Sequence, residues 1–327
     1  MAKILVIRLS AMGDVAMTVP VINEVLNAYP DIQIDMLTRK SFGSIFPEHP
    51  RFKLIFPDLK REHKGLLGLY RLYKMLRISN YDAVADLHDV LRSQVLGFLF
   101  GTTGIEVARI DKGRSEKKEL TRRKNKILKP LESMHQRYAD VFWKLGYQID
   151  LPRKEYSSTF AEKIIVGIAP FAAHEPKMWP IEQSKQLIAC LLLKNIDEIY
   201  LYGGGPSETE ILNTWASESD KIINTSNWEF NRQIKSMDNL RMMVSMDSAN
   251  MHLASNAGVP VVSFWGATHP YLGFLGYGQV VQNCVQRTDL DCRPCSTFGN
   301  KSCWRGDLAC HDVSVEEVLS RIEVLLN

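Results

Sequence analysis

Strand-length apolar runs alternate with helix-length amphipathic segments along this chain, and the alternation runs its course twice. The first series predicts strands at Lys3 to Ile7, Gln33 to Leu37, Lys53 to Phe56, Ala83 to Leu87 and Ile105 to Ile110. Helical spacing covers Val15 to Tyr29, Leu66 to Leu76 and Leu91 to Phe100. A polar stretch from Asp150 to Thr159, with Pro152 inside it, interrupts the pattern. It then restarts with strands at Ile164 to Ala169, Glu198 to Tyr202, Arg241 to Ser245 and Val259 to Phe264, and helices at Ile181 to Leu193, Glu208 to Ala216 and Val315 to Leu326. Repeated βα units imply parallel sheets with helices on both faces, because a parallel connection needs a crossover long enough to hold a helix. The expected fold is α/β, with two αβα domains over residues 1–155 and 156–327 and a cleft between them.

Charge separates the same two halves. Residues 1–154 carry 27 Lys and Arg against 17 Asp and Glu, and the remainder carries 13 against 20, within a total net charge of +3. A basic half implies an anionic partner: nucleic acid, a lipid surface or an acidic sugar. No run of about 18 apolar residues is present, and the opening MAKILVIRLS lacks the cleavage pattern of an export signal. The expected compartment is the cytoplasm.

Ligands of open α/β sheets bind beyond the carboxyl ends of the strands. After the first strand comes Arg8-Leu9-Ser10-Ala11-Met12-Gly13-Asp14. A dinucleotide turn needs three glycines there; this one has Gly13 alone, and Asp14 repels a phosphate. The turn therefore suits a base better than a pyrophosphate, which disfavours a nicotinamide oxidoreductase. The plainer reading is that Asp14 caps its own helix.

The second half is cationic or small at its strand ends. Ala169 to Pro180 carries Lys177 on the loop entering a helix, placed to neutralise a diphosphate. Leu201-Tyr-Gly-Gly-Gly-Pro-Ser-Glu208 offers glycines, Gly204 among them, for close backbone approach, and a carboxylate for ribose hydroxyls. Val244-Ser-Met-Asp247-Ser248-Ala-Asn-Met-His252 ends a strand and opens a helix, with Ser248 presenting a hydroxyl and a backbone donor. Each has an ordinary alternative: a solvated lysine, a glycine turn, a helix cap, a core histidine. Together, at three successive strand ends, they read as a nucleotide diphosphate site.

With these residues in place the chain resembles the ADP-heptose:lipopolysaccharide heptosyltransferases, glycosyltransferase family 9. The resemblance is carried by KILVIRLSAMGD, KMWP, GGGPSETE and VSMDSANMHLASNAGVPVVSFWGATHP, in that order and over nearly the whole length. It implies a GT-B fold of two Rossmann-like domains, with the acceptor on the first and the donor mainly on the second, inversion at the anomeric carbon and no required cofactor. Asp14 then corresponds to the general base, Lys177 to the diphosphate contact and Glu208 to a ribose contact. Asp247, Ser248 and His252 correspond to contacts with the sugar and phosphates, and Trp228 stands near the base. The family usually has Gly after the Thr or Ser that follows the aspartate, whereas here Ser248 is followed by Ala249.

The basic half then has a partner in an acidic lipopolysaccharide inner-core acceptor. Ser10, Arg61, Lys64, Arg114 and Arg122 are the expected contacts, the last two within the Lys- and Arg-rich run Lys112 to Lys129, and the same charge favours peripheral contact with the anionic inner leaflet. Solvated surface charge is the plain reading of such a run. Cys292, Cys295, Cys303 and Cys310 are spaced as free thiols, adventitious disulfides or a structural zinc site, remote in sequence from the chemistry. Two other classes stay open: a sugar-nucleotide epimerase, for which His174 and Glu175 supply acid and base groups, and a non-catalytic anion- or nucleic-acid-binding protein. The run lacks the interleaved aromatics of a single-strand platform, so nucleic acid is not the expected partner.

Overall fold

The structure, a computed structural model, describes residues 2–152, 156 and 163–326; the predicted junction near residue 155 lies outside them. Two compact units form, Met1–Lys112 with Met134–Pro152, and Gly113–Ser133 with Arg153–Asn327.

The first unit is built on β1 (Ala2–Ile7), β2 (Ile32–Leu37), β3 (Phe52–Ile55), β4 (Ala83–Asp86) and β5 (Glu106–Arg109), all parallel, in the order β3-β2-β1-β4-β5. Ile4, Leu5, Val6 and Ile7 are wholly buried, as a central parallel strand covered on both faces must be, and that is why it reads as a continuous apolar run. The helices are α1 (Met12–Ala16), α2 (Thr18–Ala28), α3 (Gly65–Arg77), α4 (Leu91–Gly101) and, beyond α5 (Arg114–Thr121) of the other unit, α6 (Met134–Lys144). The single helix expected over Val15 to Tyr29 is two, broken at Met17. Pro20 has no N–H for the carbonyl of Ala16, and the Thr18 hydroxyl donates to the Val15 carbonyl at 2.7 Å instead.

The second unit repeats the plan with β6 (Ile165–Ala169), β7 (Glu198–Leu201), β8 (Ile222–Asn224), β9 (Met242–Met246), β10 (Val261–Phe264) and β11 (Cys284–Val285), in the order β11-β10-β9-β6-β7-β8. Around them lie α7 (Ile181–Leu192), α8 (Pro206–Ala216), α9 (Phe230–Ser236), α10 (Ala249–Asn256) and α11 (Val315–Leu326). Val166, Ile168, Leu201, Val244 and Val262 of the sheet pack with Leu187, Leu191 and Ile322 of the helices in one core. Strands β8 and β11 span three and two residues, too short to leave an apolar run.

The basic run departs from the expected division, because residues 113–133 leave the first unit and pack with the second. Lys117 and Arg123 lie over the rings of Phe274 and Trp304, at 4.3 and 4.9 Å. Lys126 donates to the carbonyls of Asp291 and Pro294, both at 3.0 Å, and the Leu131 amide donates to Tyr271. Three of its nine basic side chains are thus spent on architecture.

In each sheet the winding reverses beside the first strand, between β1 and β4 and between β6 and β9. These are the topological switch points, where connections leave in opposite directions and open a crevice at the strand ends.

Candidate active site

At the first switch point Arg8 follows β1 and His88 follows β4. The Arg8 guanidinium, 4 % exposed, donates to the Leu87 carbonyl at 2.6 Å and pairs with Asp14 Oδ2 at 2.7 Å. Burial opposes its charge, but Tyr138, Asp14 and Asp86 outweigh that and leave its pKa raised. Asp14 stands in the first turn of α1, where Oδ2 also accepts the Ala11 amide at 3.1 Å. The capping role is therefore real. It occupies one oxygen only, and Oδ1 has no protein partner among the described residues.

His88 is fixed behind this pair. Its Nδ1 accepts the Leu9 amide at 3.4 Å and its Nε2 faces the Ser10 hydroxyl at 3.5 Å. Burial, then the charges of Arg8 and Lys112, pull its pKa down to about 3, so it is neutral at physiological pH and orients Ser10. Tyr138 of α6 closes the floor, wholly buried, its ring 5.7 Å from the Arg8 guanidinium.

At the second switch point Lys177 Nζ lies 2.9 Å from Asp247 Oδ2, and the Thr268 hydroxyl donates to the same oxygen at 2.8 Å. Asp247 follows β9. Lys177 ends a short turn in the loop after β6, and Trp179 anchors that loop: it is 1 % exposed, with its indole N–H on the Val313 carbonyl at 3.0 Å and its ring tilted against Phe264. Ser248 occupies the cap position of α10 without bonding a helix amide; its hydroxyl meets Ser245 at 3.3 Å instead. The helix-cap reading of Asp247 and Ser248 therefore does not hold, and their polar atoms belong to the switch point. His252 is buried in α10.

The cysteine segment, remote in sequence, packs against this lysine. At Gly299, where φ is +71°, an added Cβ would collide with the Lys177 stem, and at Gly266 it would collide with the Pro176 carbonyl. Arg293, 4 % exposed, donates to the carbonyls of Trp265 and Thr268 at 2.6 and 2.9 Å, and also to those of Gly266 and Arg287. It clamps the loop that carries Thr268. Burial lowers its pKa to about 10, which leaves it charged. The four thiols are free, and no group of three or more His, Cys, Asp or Glu among the described residues is disposed to hold a metal ion. Burial raises the Cys310 thiol to about 11 and raises Cys295 as well, so these stay protonated. In Cys303 amide donors from Leu308, Arg305, Gly306 and Asp307 outweigh burial and lower it. Cys292, Cys295, Cys303 and Cys310 line one small pocket, and the loop that carries them braces the anion site.

The remaining predicted residues are spread out. Glu208 Oε2 accepts the Gly204 amide at 2.7 Å, closing the glycine turn before α8. Trp228 has the Arg232 guanidinium over its ring at 4.1 Å and Tyr200 at its edge, so this face of the indole is taken by packing. Arg61 and Lys64 sit exposed in the turn before α3. Arg122 donates to the Asn125 carbonyl, and Arg114 opens α5; both belong to the second unit. His174 and Glu175 form an exposed surface turn whose carbonyls accept from Lys177 and Met178. No acid and base pair is made there, which removes the support for an epimerase.

Sequence reasoning missed Arg8, His88, Thr268, Arg293 and Gly299. Arg8 and the Asp86-Leu87-His88-Asp89 cluster carried a signal, polar residues directly after a buried strand. For Arg293 and Gly299 no local pattern exists.

Two doubly wound parallel sheets in one chain are the architecture of the GT-B class of glycosyltransferase, and each here carries an ion pair at its switch point. A family model for Glycosyltransferase family 9 (heptosyltransferase) matches residues 69–301, and the chain belongs to that family. It is 24 % identical over 314 residues to lipopolysaccharide heptosyltransferase 1 of Pseudomonas aeruginosa, spanning 90 % of this chain and 86 % of that one. It is also 24 % identical over 309 residues to lipopolysaccharide heptosyltransferase 1 of Escherichia coli K12, spanning 86 % and 93 %. Among solved structures, the E. coli heptosyltransferase WaaC with ADP superposes with a TM-score of 0.71 at 21 % identity, covering 99 % of both chains. A family 9 glycosyl transferase from Veillonella parvula gives 0.73 at 19 % identity, covering 99 % and 97 %.

Proposed function

We propose that this enzyme moves a heptose from an ADP-sugar to an acidic inner-core acceptor of lipopolysaccharide, with inversion at the anomeric carbon, at the cytoplasmic face of the membrane that holds the acceptor lipid. The observation that carries the reading is the opposite order of burial in the two ion pairs. In the first, Arg8 is the buried partner at 5 % and Asp14 the accessible one at 23 %; in the second, Asp247 is buried at 6 % and Lys177 accessible at 16 %. One switch point offers an anion, the other a cation.

The chemistry follows from that polarity. An acceptor hydroxyl attacks the anomeric carbon and gives its proton to Asp14 Oδ1, while Arg8 and the Ala11 amide hold Oδ2. Such a base contributes about 10² to 10⁴ in rate. On the opposite side of the carbon the bond to the diphosphate breaks, and its new charge meets Lys177, which keeps donors beyond the one on Asp247, with the first-turn amides of α10. These donors supply the positive charge the leaving group needs, so no cofactor enters the scheme. Asp247 Oδ1, unpartnered among the described residues, accepts from a sugar hydroxyl in this scheme. One base opposite one leaving group gives inversion by geometry. Arg61 and Lys64 face solvent where a carboxylate- or phosphate-bearing acceptor would meet them, so acceptor KM rises steeply with salt.

A thermal-shift panel of nucleoside diphosphates and their sugars tests the donor. ADP compounds raise Tm by mass action on the folded state; a larger shift with UDP or GDP overturns the donor assignment.

A further inference from the structure

Helix α3 is buried on one side only. Leu69, Leu72, Tyr73 and Leu76 pack inward, and the outward half of an ordinary surface helix would be polar. Here it shows Leu66 at 70 % exposure, Leu67 at 77 %, Tyr70 and Met75 at 44 % and, at the cap, Ile78 at 81 %. Its only charges are basic: Arg71, Lys74 and Arg77, all exposed. Lys74 reaches back over the Tyr70 ring at 4.9 Å, which keeps its ammonium at the rim of the apolar patch. Exposed Lys60, Arg61 and Lys64 lead into the helix and outnumber the two carboxylates among them: Asp58, which accepts the backbone amides of residues 60 and 61, and exposed Glu62, which lies 3.8 Å from His63 Nε2. Leu91 and Phe98 of the neighbouring α4 add exposed apolar area.

We propose that this face docks the first unit onto an anionic lipid bilayer. Leu66, Leu67 and Tyr70 enter the boundary between headgroups and acyl chains. Arg71, Lys74 and Arg77 extend along the apolar surface to reach the phosphates, the arrangement of an interfacial helix. Charge decides against a second copy of the chain, since two such faces would set like charges against each other. An apolar protein groove would leave the basic residues unmatched. The proposal rests on the reading of a lipid-linked acceptor in one respect: Lys64 is the cap residue of α3 and Arg61 lies in the turn before it, so docking here holds the acceptor residues at headgroup level.

The test is cosedimentation of the full chain with phosphatidylcholine–phosphatidylglycerol vesicles and with phosphatidylcholine alone. The wild type partitions onto the anionic vesicles, less so as salt rises. A Leu66→Gln/Leu67→Gln variant loses at least about tenfold in partitioning, and Lys74→Gln/Arg77→Gln about 25-fold, near fivefold per basic residue. Both variants keep the wild-type Tm and transfer normally to a deacylated, soluble acceptor. Vesicle binding needs neither substrate, so it is read even if heptosyl transfer is not found. Wild-type protein left in the supernatant, or variants that sediment like wild type, overturn the proposal. So does a self-association by ultracentrifugation that the leucine variant abolishes, which assigns the face to a second copy.

Discussion

The two switch points contain the same kinds of group and turn them opposite ways. At the end of β1 a buried arginine holds an accessible aspartate, and at the end of β9 a buried aspartate holds an accessible lysine. The fold supplies the same crevice twice, and the order of burial decides whether it attracts a proton or a phosphate. In both, the buried member is held by further polar bonds: Arg8 by the Leu87 carbonyl, Asp247 by the Thr268 hydroxyl. A charge taken out of water without such partners is costly, so each pair is built around its buried half.

The largest expected effect removes the accessible anion. Asp14→Asn lowers turnover by about 10² to 10⁴ in a coupled assay for released ADP. Removing the accessible cation comes next. Lys177→Met loses a charge-assisted contact of about 1.5 to 3 kcal/mol, a 10- to 150-fold weaker donor, read by calorimetry with ADP. Gly299→Ala disturbs the lysine without touching its charge. The new Cβ displaces the Lys177 stem, and φ at +71° strains any side chain, so donor KM rises about threefold with acceptor KM unchanged.

The effect that is smallest at neutral pH is on stability, and it grows as pH falls. His88 has its folded pKa at about 3, below the unfolded value of about 6.5. Between these values the unfolded chain binds the extra proton, so the contribution of His88 is intact above pH ~6.5 and is lost as pH falls through that window. His269, lowered to about 4 by burial and then by Arg293 and Lys126, acts with the same sign. His88→Asn therefore flattens the acid side of a Tm-against-pH curve while leaving the neutral side parallel to wild type.

How far these sites could be read in the sequence follows from the range of the interactions involved. The strands were legible because parallel strands buried on both faces are apolar throughout, and Ile4 to Ile7 announce themselves. Asp14, Lys177 and Asp247 were legible because each lies between the end of a strand and the first turn of the helix that follows it. The pairing of Lys177 with Asp247, 70 positions apart in sequence, was not, nor was the clamp of Arg293 on the Thr268 loop. The basic run shows the same limit from the other side. Its local pattern says only that it is charged, and Phe274 and Trp304, far along the chain, decide where it packs.

The most direct test of the opposed ion pairs is the ADP dissociation constant of Asp14→Asn and Lys177→Met, measured by titration calorimetry beside their turnover. The account predicts that Asp14→Asn binds ADP within about twofold of wild type while turnover collapses, and that Lys177→Met binds it at least tenfold more weakly. An Asp14→Asn enzyme that turns over normally, or a Lys177→Met enzyme that holds ADP as wild type does, contradicts it.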